Sequence, residues 1–471
     1  MGGVRGGRYP PGVGRSPRRS RIVCDPRRPH GGRRPRRAGC GQGQGVPAAV
    51  TACRGFLVAA ATAGLAACGT DTGSGTPGPD VVVETHGDTT IIRTVSGSVW
   101  GAGATLVPEV SIGELDGPEE YLFGSIYSIA VDDEGRVYVL DGQARNIRVF
   151  DSDGAYIETA ARRGEGPGEL SNAFSVAVLP DGRVIAHEPA DMRVKVLGPE
   201  PRNRVQWTYP PGAVVLPVKP LRIDRNGHVL VAAAGSSPAR GVSQYVLVMD
   251  SDGQLLDSLA PPGGGFEPPS LEFRLPFPIR GRSTTSVAVP LTARHHWTMN
   301  SNGEFLTGVS TDYRIDLWRD DGVLRIERDH EPVPTSEAER NYHRERTMRS
   351  IRRTQPDWNW TGPPVPDTKP PFTGLVAGRD ARIWVQLSTE AQPVANDAHD
   401  PDNPRSEPVT WESPVRYDAF EPDGTYLGTL GTPRGFLVSP AEPIFDGDHV
   451  WSVTRDDLGV QRVVRYRIAV G

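Results

Sequence analysis

The stretch Ser128-Ile-Ala-Val-Asp-Asp-Glu-Gly135, running into Arg136-Val-Tyr-Val139, decides the fold. Apolar residues alternate on both sides of a glycine-ended turn, the pattern of two antiparallel strands that share one buried face. The same unit recurs at residues 175–182, 221–227, 297–303, 375–380 and 443–447, each leading into a second alternating run. Asp-Gly and Asn-Gly supply the positive φ that a two-residue hairpin demands. In most units another hairpin follows, turning at Asp153-Gly154, Asp252-Gly253, Asp321-Gly322 or Asp423-Gly424. Four antiparallel strands per unit, six times over without intervening helices, predict an all-β chain. Residues 88–471 are expected to form a six-bladed β-propeller of four-stranded blades rather than a sandwich.

The sixth unit ends at residues 464–471, its third strand, with no chain left for a fourth. An N-terminal strand is therefore expected to complete blade six and close the ring, removing an edge that would otherwise invite aggregation. The expected strand is Thr89-Thr-Ile-Ile-Arg-Thr-Val95, which has no module of its own.

Three segments carry a family likeness: Gly164-Glu-Gly-Pro-Gly-Glu-Leu170, Ala177-Val-Leu-Pro-Asp-Gly182, and Val139-Leu-Asp-Gly-Gln-Ala-Arg-Asn-Ile-Arg-Val-Phe-Asp151. A weaker copy of the first stands at residues 113–120. With these the chain resembles the NHL-type six-bladed propellers, particularly those of bacterial lipoproteins. The resemblance implies a scaffold for binding proteins, glycans or small ligands, with a minority of enzymes.

The chain has 471 residues and a net charge of −5. Residues 1–68 hold thirteen arginines and one acid, so the remainder, with 39 basic and 56 acidic residues, carries −17. An acidic body argues against nucleic acid as a partner. All four cysteines, Cys24, Cys40, Cys53 and Cys68, fall in those first 68 residues, so the body is expected to fold without disulfides or cysteine-bound metal. Residues 1–50, rich in Arg, Gly and Pro, read as an unfolded extension. Residues 51–68 have the charged flank, short apolar run and small-residue end of a signal peptide. Leu65-Ala-Ala-Cys68 looks like a lipobox, in which Cys68 is acylated; a secretory cleavage site is the plainer alternative. Residues 69–87 read as a flexible tether to the propeller. The expected setting is export and lipid anchoring in a bacterial cell envelope, with the membrane as one partner and an envelope protein or glycan as another.

In an up-and-down blade the second-to-third loop and the connection to the next blade share one face, and the Asp-Gly hairpins occupy the other. Long inserts at residues 261–294, 331–372 and 389–415 all belong to the loop face, which marks it as the working surface. The middle insert holds the one expected helix, Ser336 to about Arg353, with Ser336 and Glu339 in capping-box spacing and Glu345 placed to pair with Arg349. Its thin stripe of Ala338, Tyr342, Met348 and Ile351 would dock it on the blades, as a lid or a structural cap.

Candidate site residues fall in three groups. Asp141 and Arg145 of blade one, with His187, Glu188 and Arg193 of blade two, lie on second-to-third loops and could ring the channel mouth to bind an anionic ligand; the alternative is backbone capping and blade registration. Trp358, Trp360 and Trp411 sit in inserts, as a binding platform or as packing of the loops themselves. Asp397, His399, Asp400 and Asp402 crowd oxygen ligands and an imidazole as calcium would require, without EF-hand spacing; a solvated acidic loop is the alternative. Of His295 and His296, at most one can face the channel, because adjacent strand residues point to opposite faces. No catalytic motif is present: neither a phosphate loop, a Gly-x-Ser-x-Gly elbow nor His-Glu-x-x-His occurs. The expected function is non-catalytic binding at the loop face, without a cofactor unless calcium occupies the acidic loop. The competing expectation is a propeller-class metal-assisted hydrolase, lactonase or lyase at the channel mouth.

Overall fold

The computed structural model describes residues 78–471 apart from 167, 199–204, 217–218, 238–240, 280–281, 397–398 and 404–405. The basic extension, the signal-like segment with Cys68 and the first part of the tether lie outside the described residues.

Six radial sheets form the propeller. From the axis outward, blade one comprises Ile126–Val131, Val137–Asp141, Asn146–Phe150 and Tyr156–Arg163, and blade two Ser175–Val178, Val184–Glu188, Arg193–Leu197 and Val205–Thr208. Blade three is built on Arg222–Ile223, Val229–Ser237, Gly241–Met249 and Leu255–Leu259, and blade four on His295–Met299, Phe305–Val309, Arg314–Arg319 and Gly322–Arg328. Blade five contains Phe372–Ala377, Ile383–Leu387, Arg416–Phe420 and Tyr426–Gly431; blade six contains Ile444–Asp446, His449–Arg455 and Gln461–Val470.

Alternation places apolar side chains on both faces of every blade, and each face packs on a neighbour. One core cluster fills each junction between consecutive blades, from one–two round to five–six. The last junction closes the circle: Ile112, Trp451, Val453 and Val463 of blade six meet Ile126, Val137, Val139 and Phe150 of blade one.

Ring closure uses a different N-terminal strand from the one expected. Ala104–Ile112 pairs antiparallel with the last strand of the chain, from Ala104 opposite Val470 to Ile112 opposite Val463. Thr89–Ser96 instead runs parallel to the outer strand of blade four, with Ile92 opposite Ile326. Asp80–His86, expected as tether, is a strand that folds back on Thr89–Ser96 and gives blade four six strands. Between these segments Val99 and Trp100 donate backbone hydrogen bonds to Tyr426 and Leu427 of blade five. Residues 80–112 thus belt the outer edges of blades four, five and six in turn. Period-two alternation favours the observed strand, since Ala104–Ile112 sets apolar residues at 104, 106, 108, 110 and 112 whereas Thr89–Ser96 places Ile91 and Ile92 side by side; what the pattern leaves open is which blade edge each segment joins.

The hairpins also differ in detail from expectation. In blade one the turn loop has three residues: Asp132 N–H donates to Arg136 O, Gly135 N–H donates to Asp132 O, and Gly135 takes φ +80°. That is the glycine-bulge form of a hairpin, in which the glycine follows the turn instead of sitting inside it. Blade six alone among the inner hairpins has the two-residue form, with Asp446 opposite His449 and Gly447 at φ +60°.

The three inserts associate with one another. The first forms a hairpin of Ser270–Ile279 and Arg282–Ala288, and the third a hairpin of Gln392–Ala395 and Val409–Glu412. Helix Glu337–Arg352 starts at Ser336, whose hydroxyl accepts from Glu339 N–H at 3.1 Å. Its buried residues Met348 and Ile351 pack with Leu271, Val289, Trp358 and Val365, so it docks on the first insert and not on the blades. Arg349 pairs with Glu407 of the third insert at 2.5 Å, in place of the expected Glu345. The result is one cap over the loop face above blades four and five.

Candidate functional site

Of the residues expected at the loop-face mouth of blades one and two, the carboxylates Asp141 and Glu188 hold backbone. Asp141 is fully buried and accepts from the N–H groups of Gly124, Ser125, Gln143 and Ala144. Arg145 sits half-buried at φ +55° and has no ion-pair partner among the described residues. Glu188, also fully buried, accepts from Ser171 N–H at 2.7 Å, from Asn172 N–H at 3.2 Å and from Arg193 Nε at 2.6 Å. Arg193 reaches on to Asp191 at 3.2 Å and Glu165 at 3.8 Å. These contacts clamp the Gly-rich connector 164–170 onto blade two. His187 Nδ1 lies 2.5 Å from the Tyr209 hydroxyl, and burial pulls its pKa down to about 4 against the opposing pull of Glu188.

Among the tryptophans, Trp358 is 5% exposed and donates its indole N–H to Glu272 O at 2.9 Å. Trp360 stacks edge-on against it at 6.3 Å and donates to Pro363 O. Both pack the cap. Trp411 differs, because it lines a cavity. In the acidic loop Asp397 is outside the described residues, His399 Nδ1 lies 2.9 Å from Ser406 Oγ, and Asp400 accepts from Asp402 N–H. Among the described residues no three His, Cys, Asp or Glu side chains gather as a metal site.

Convergence occurs elsewhere, in the loop-face half of the axial channel, through residues that sequence reasoning mostly missed. Lys219 precedes the inner strand of blade three; its ammonium donates to Trp297 O at 3.1 Å and sits 5.0 Å from the centre of the Trp297 ring. Burial lowers its pKa, with Glu442 opposing. Arg222 of blade three reaches across the ring to Glu442 of blade six at 2.6 Å, so an ion pair spans the channel. Tyr417 of blade five is fully buried, and its hydroxyl has no partner among the described residues. Burial, then the nearby Glu442, keeps that phenol protonated by raising its pKa. Of the two histidines, His296 turns toward blade five, 5.4 Å from the Phe372 ring, where it lines two cavities, and burial lowers its pKa to about 4, reinforced by the cations Lys219 and Arg294. It is therefore neutral at pH 7.

Two adjoining cavities result. The axial one, of about 140 Å³, is lined by Lys219, His296, Gln386, Tyr417 and Glu442 among others. The other, of about 350 Å³, lies under the cap between all three inserts and is lined by Arg294, His296, Glu339, His343, Lys369 and Trp411. His296, Thr373 and Gln386 border both. In the cap cavity Lys369 makes a buried ion pair with Glu339 at 2.7 Å and donates to Thr389 O at 2.9 Å. His343 lies 3.9 Å from the same carboxylate, its pKa lowered by burial. A larger chamber, about 750 Å³, opens on the hairpin face below the Arg222–Glu442 pair. Its carboxylates Asp132 and Asp224 are taken up by the N–H groups of their own turns.

One signal in the sequence points to these groups. The chain has 49 arginines and only three lysines, Lys195, Lys219 and Lys369, and none of the three is exposed. A compact ammonium fits where a guanidinium fork would not.

A family model described as a 6-bladed beta-propeller matches residues 105–179. Among curated proteins, none matches this chain. Solved structures with similar chains include virginiamycin B lyase from Staphylococcus aureus, at 12% identity and a TM-score of 0.39, covering 77% of this chain and 100% of that one. A Bacteroides fragilis protein provisionally named as exported is 11% identical with a TM-score of 0.43, covering 81% of this chain and 99% of that one. A gluconolactonase from Xanthomonas campestris is 12% identical with a TM-score of 0.36, covering 73% and 87% respectively. At such identities a shared activity does not follow. No helix among the described residues is long and apolar enough to cross a membrane.

Proposed function

We propose that this protein is a non-catalytic binding propeller, exported and held at a bacterial membrane through Cys68, that takes a small ligand on its loop face. The observation that carries the reading is the pair of adjoining cavities under the cap. The cap cavity's volume of about 350 Å³ falls at the lower end of the range for small-molecule pockets. Its walls combine Trp411 with Ser, Thr, Gln and His side chains and the charged Arg294, Glu339 and Lys369, a mixture that suits a sugar-sized, hydroxylated ligand.

The test is a thermal-shift panel of monosaccharides, polyols and small organic acids on the full chain, repeated with Trp411→Ala. At least one class raises the melting temperature saturably in the wild type, and the variant loses most of that rise. Absence of any saturable shift across the panel would refute the reading. Product analysis after incubation with lactones, with and without added calcium or zinc, separates binding from the competing metal-assisted hydrolase or lyase. Anchoring is read from fractionation of expressing cells: Cys68→Ala moves the protein from the membrane to the soluble fraction.

A further inference from the structure

Each of the three lysines is held in a buried or half-buried place, but their partners differ. Lys195 donates to Gly166 O, and Lys369 has both Glu339 and Thr389 O. Lys219 has a carbonyl and an aromatic face, and among the described residues no carboxylate stands within ion-pair distance of it. The carboxylate that acts on it through space, Glu442, is committed to Arg222. One positive charge at the axis is thus uncompensated, in a place where removal from water makes an unpaired charge costly.

A second, independent feature borders the same small cavity. The Tyr417 hydroxyl is a fully buried donor with no partner among the described residues. Buried polar groups are rarely left unmade in native proteins, so a cation and an orphan donor around one void point to a missing acceptor. The void of about 140 Å³ has room for roughly four water-sized groups. The single surplus charge at the axis matches a monoanionic head group, and Arg294, which lines the cap cavity without an ion-pair partner among the described residues, adds a second cation beyond His296. The borders shared at His296, Thr373 and Gln386 give such an anion a path for a larger body into the cap cavity.

We propose that the axial cavity binds the carboxylate of a small organic acid, with Lys219 as counter-cation and Tyr417 as hydrogen-bond donor, and that the body of the acid extends past His296 into the cap cavity. The proposal rests on the binding reading above and narrows it to one ligand class. A hydroxylated acid such as a sugar acid meets both halves of the site.

The experiment compares glycolate, glucuronate, glucose and sodium chloride at matched ionic strength, by thermal shift and calorimetry on the full chain. Glycolate and glucuronate bind saturably, glucuronate the tighter, while glucose and chloride do not. Tyr417→Phe preserves the ring and weakens glucuronate roughly tenfold, the cost of one hydrogen bond to a charged group. Lys219→Met abolishes the acid-dependent shift. Equal binding of glucose, an equal effect of chloride, or unchanged affinity in both variants overturns the carboxylate assignment. If glucose binds as well as glucuronate, the binding reading survives and only this inference falls; if none of these probes binds, this inference falls and the wider panel decides the binding reading.

Discussion

Two isoleucine truncations separate the observed ring closure from its alternative. Ile112 ends the closing strand, has no exposed surface and packs in the blade six–one core with Val453 and Val463. Ile92 lies on the strand added to the outside of blade four and is half-buried against Ile326 and its neighbours. Truncating a fully buried isoleucine to alanine costs about 2–5 kcal/mol, through lost transfer energy and a residual cavity. Ile112 should fall in the upper half of that span, about 3–4 kcal/mol, because it stands between two blades that cannot collapse inward without breaking strand pairing. For Ile92, with about half the burial and a solvent edge that can relax, about 1–1.5 kcal/mol is expected by the same area argument. Urea unfolding followed by tryptophan fluorescence measures both, with the denaturant slope checked for constancy across the variants. An Ile92→Ala cost equal to or above that of Ile112→Ala would show that the ring is not held closed by Ala104–Ile112.

Asp418 is fully buried and accepts from Tyr313, Tyr426, Thr429 and Arg328, joining blades four and five; Asp418→Asn leaves Arg328 facing an amide and should cost about 3–5 kcal/mol in the same urea assay, against a small loss if the pair is solvated. His187 has a folded pKa of about 4, below the unfolded value near 6.5, so the fold favours the neutral ring. Its contribution is complete above about pH 6.5, falls as the pH drops through that value and levels off below about 4, a loss of roughly 2 kcal/mol at pH 5. The stability gap between wild type and His187→Gln should therefore narrow by that amount between pH 7.5 and pH 5, and parallel curves would refute the assignment.

The architecture was legible because it rests on local rules repeated many times. Alternation at residues 128–139 and its five copies states strand, turn and buried face within a dozen residues, and six such units that cannot bury both faces alone must pack on each other. The loop-face inserts were legible for the same reason, since their position follows from strand count. The closing strand was legible in part: the alternate apolar positions from 104 to 112 mark a strand with one buried face, as Ile91-Ile92 does not, but which blade edge each segment joins depends on what lies within reach at that point of the chain.

The site divides along the same line. Carboxylates such as Asp141 and Glu188 stand out in a sequence because they are charged, yet they serve neighbouring backbone within about twenty residues of themselves. Lys219 and Arg222 stand three residues apart at the start of blade three, but His296, Tyr417 and Glu442 come from blades four, five and six, and nothing local links them to that pair. By itself the sequence determined the number of blades, the face that carries the inserts and the shortage of lysine. Only the closed ring decided that Glu442 faces Arg222 across the channel and that Lys219 and Tyr417 border one void, because those distances are properties of the circle and not of any stretch of chain.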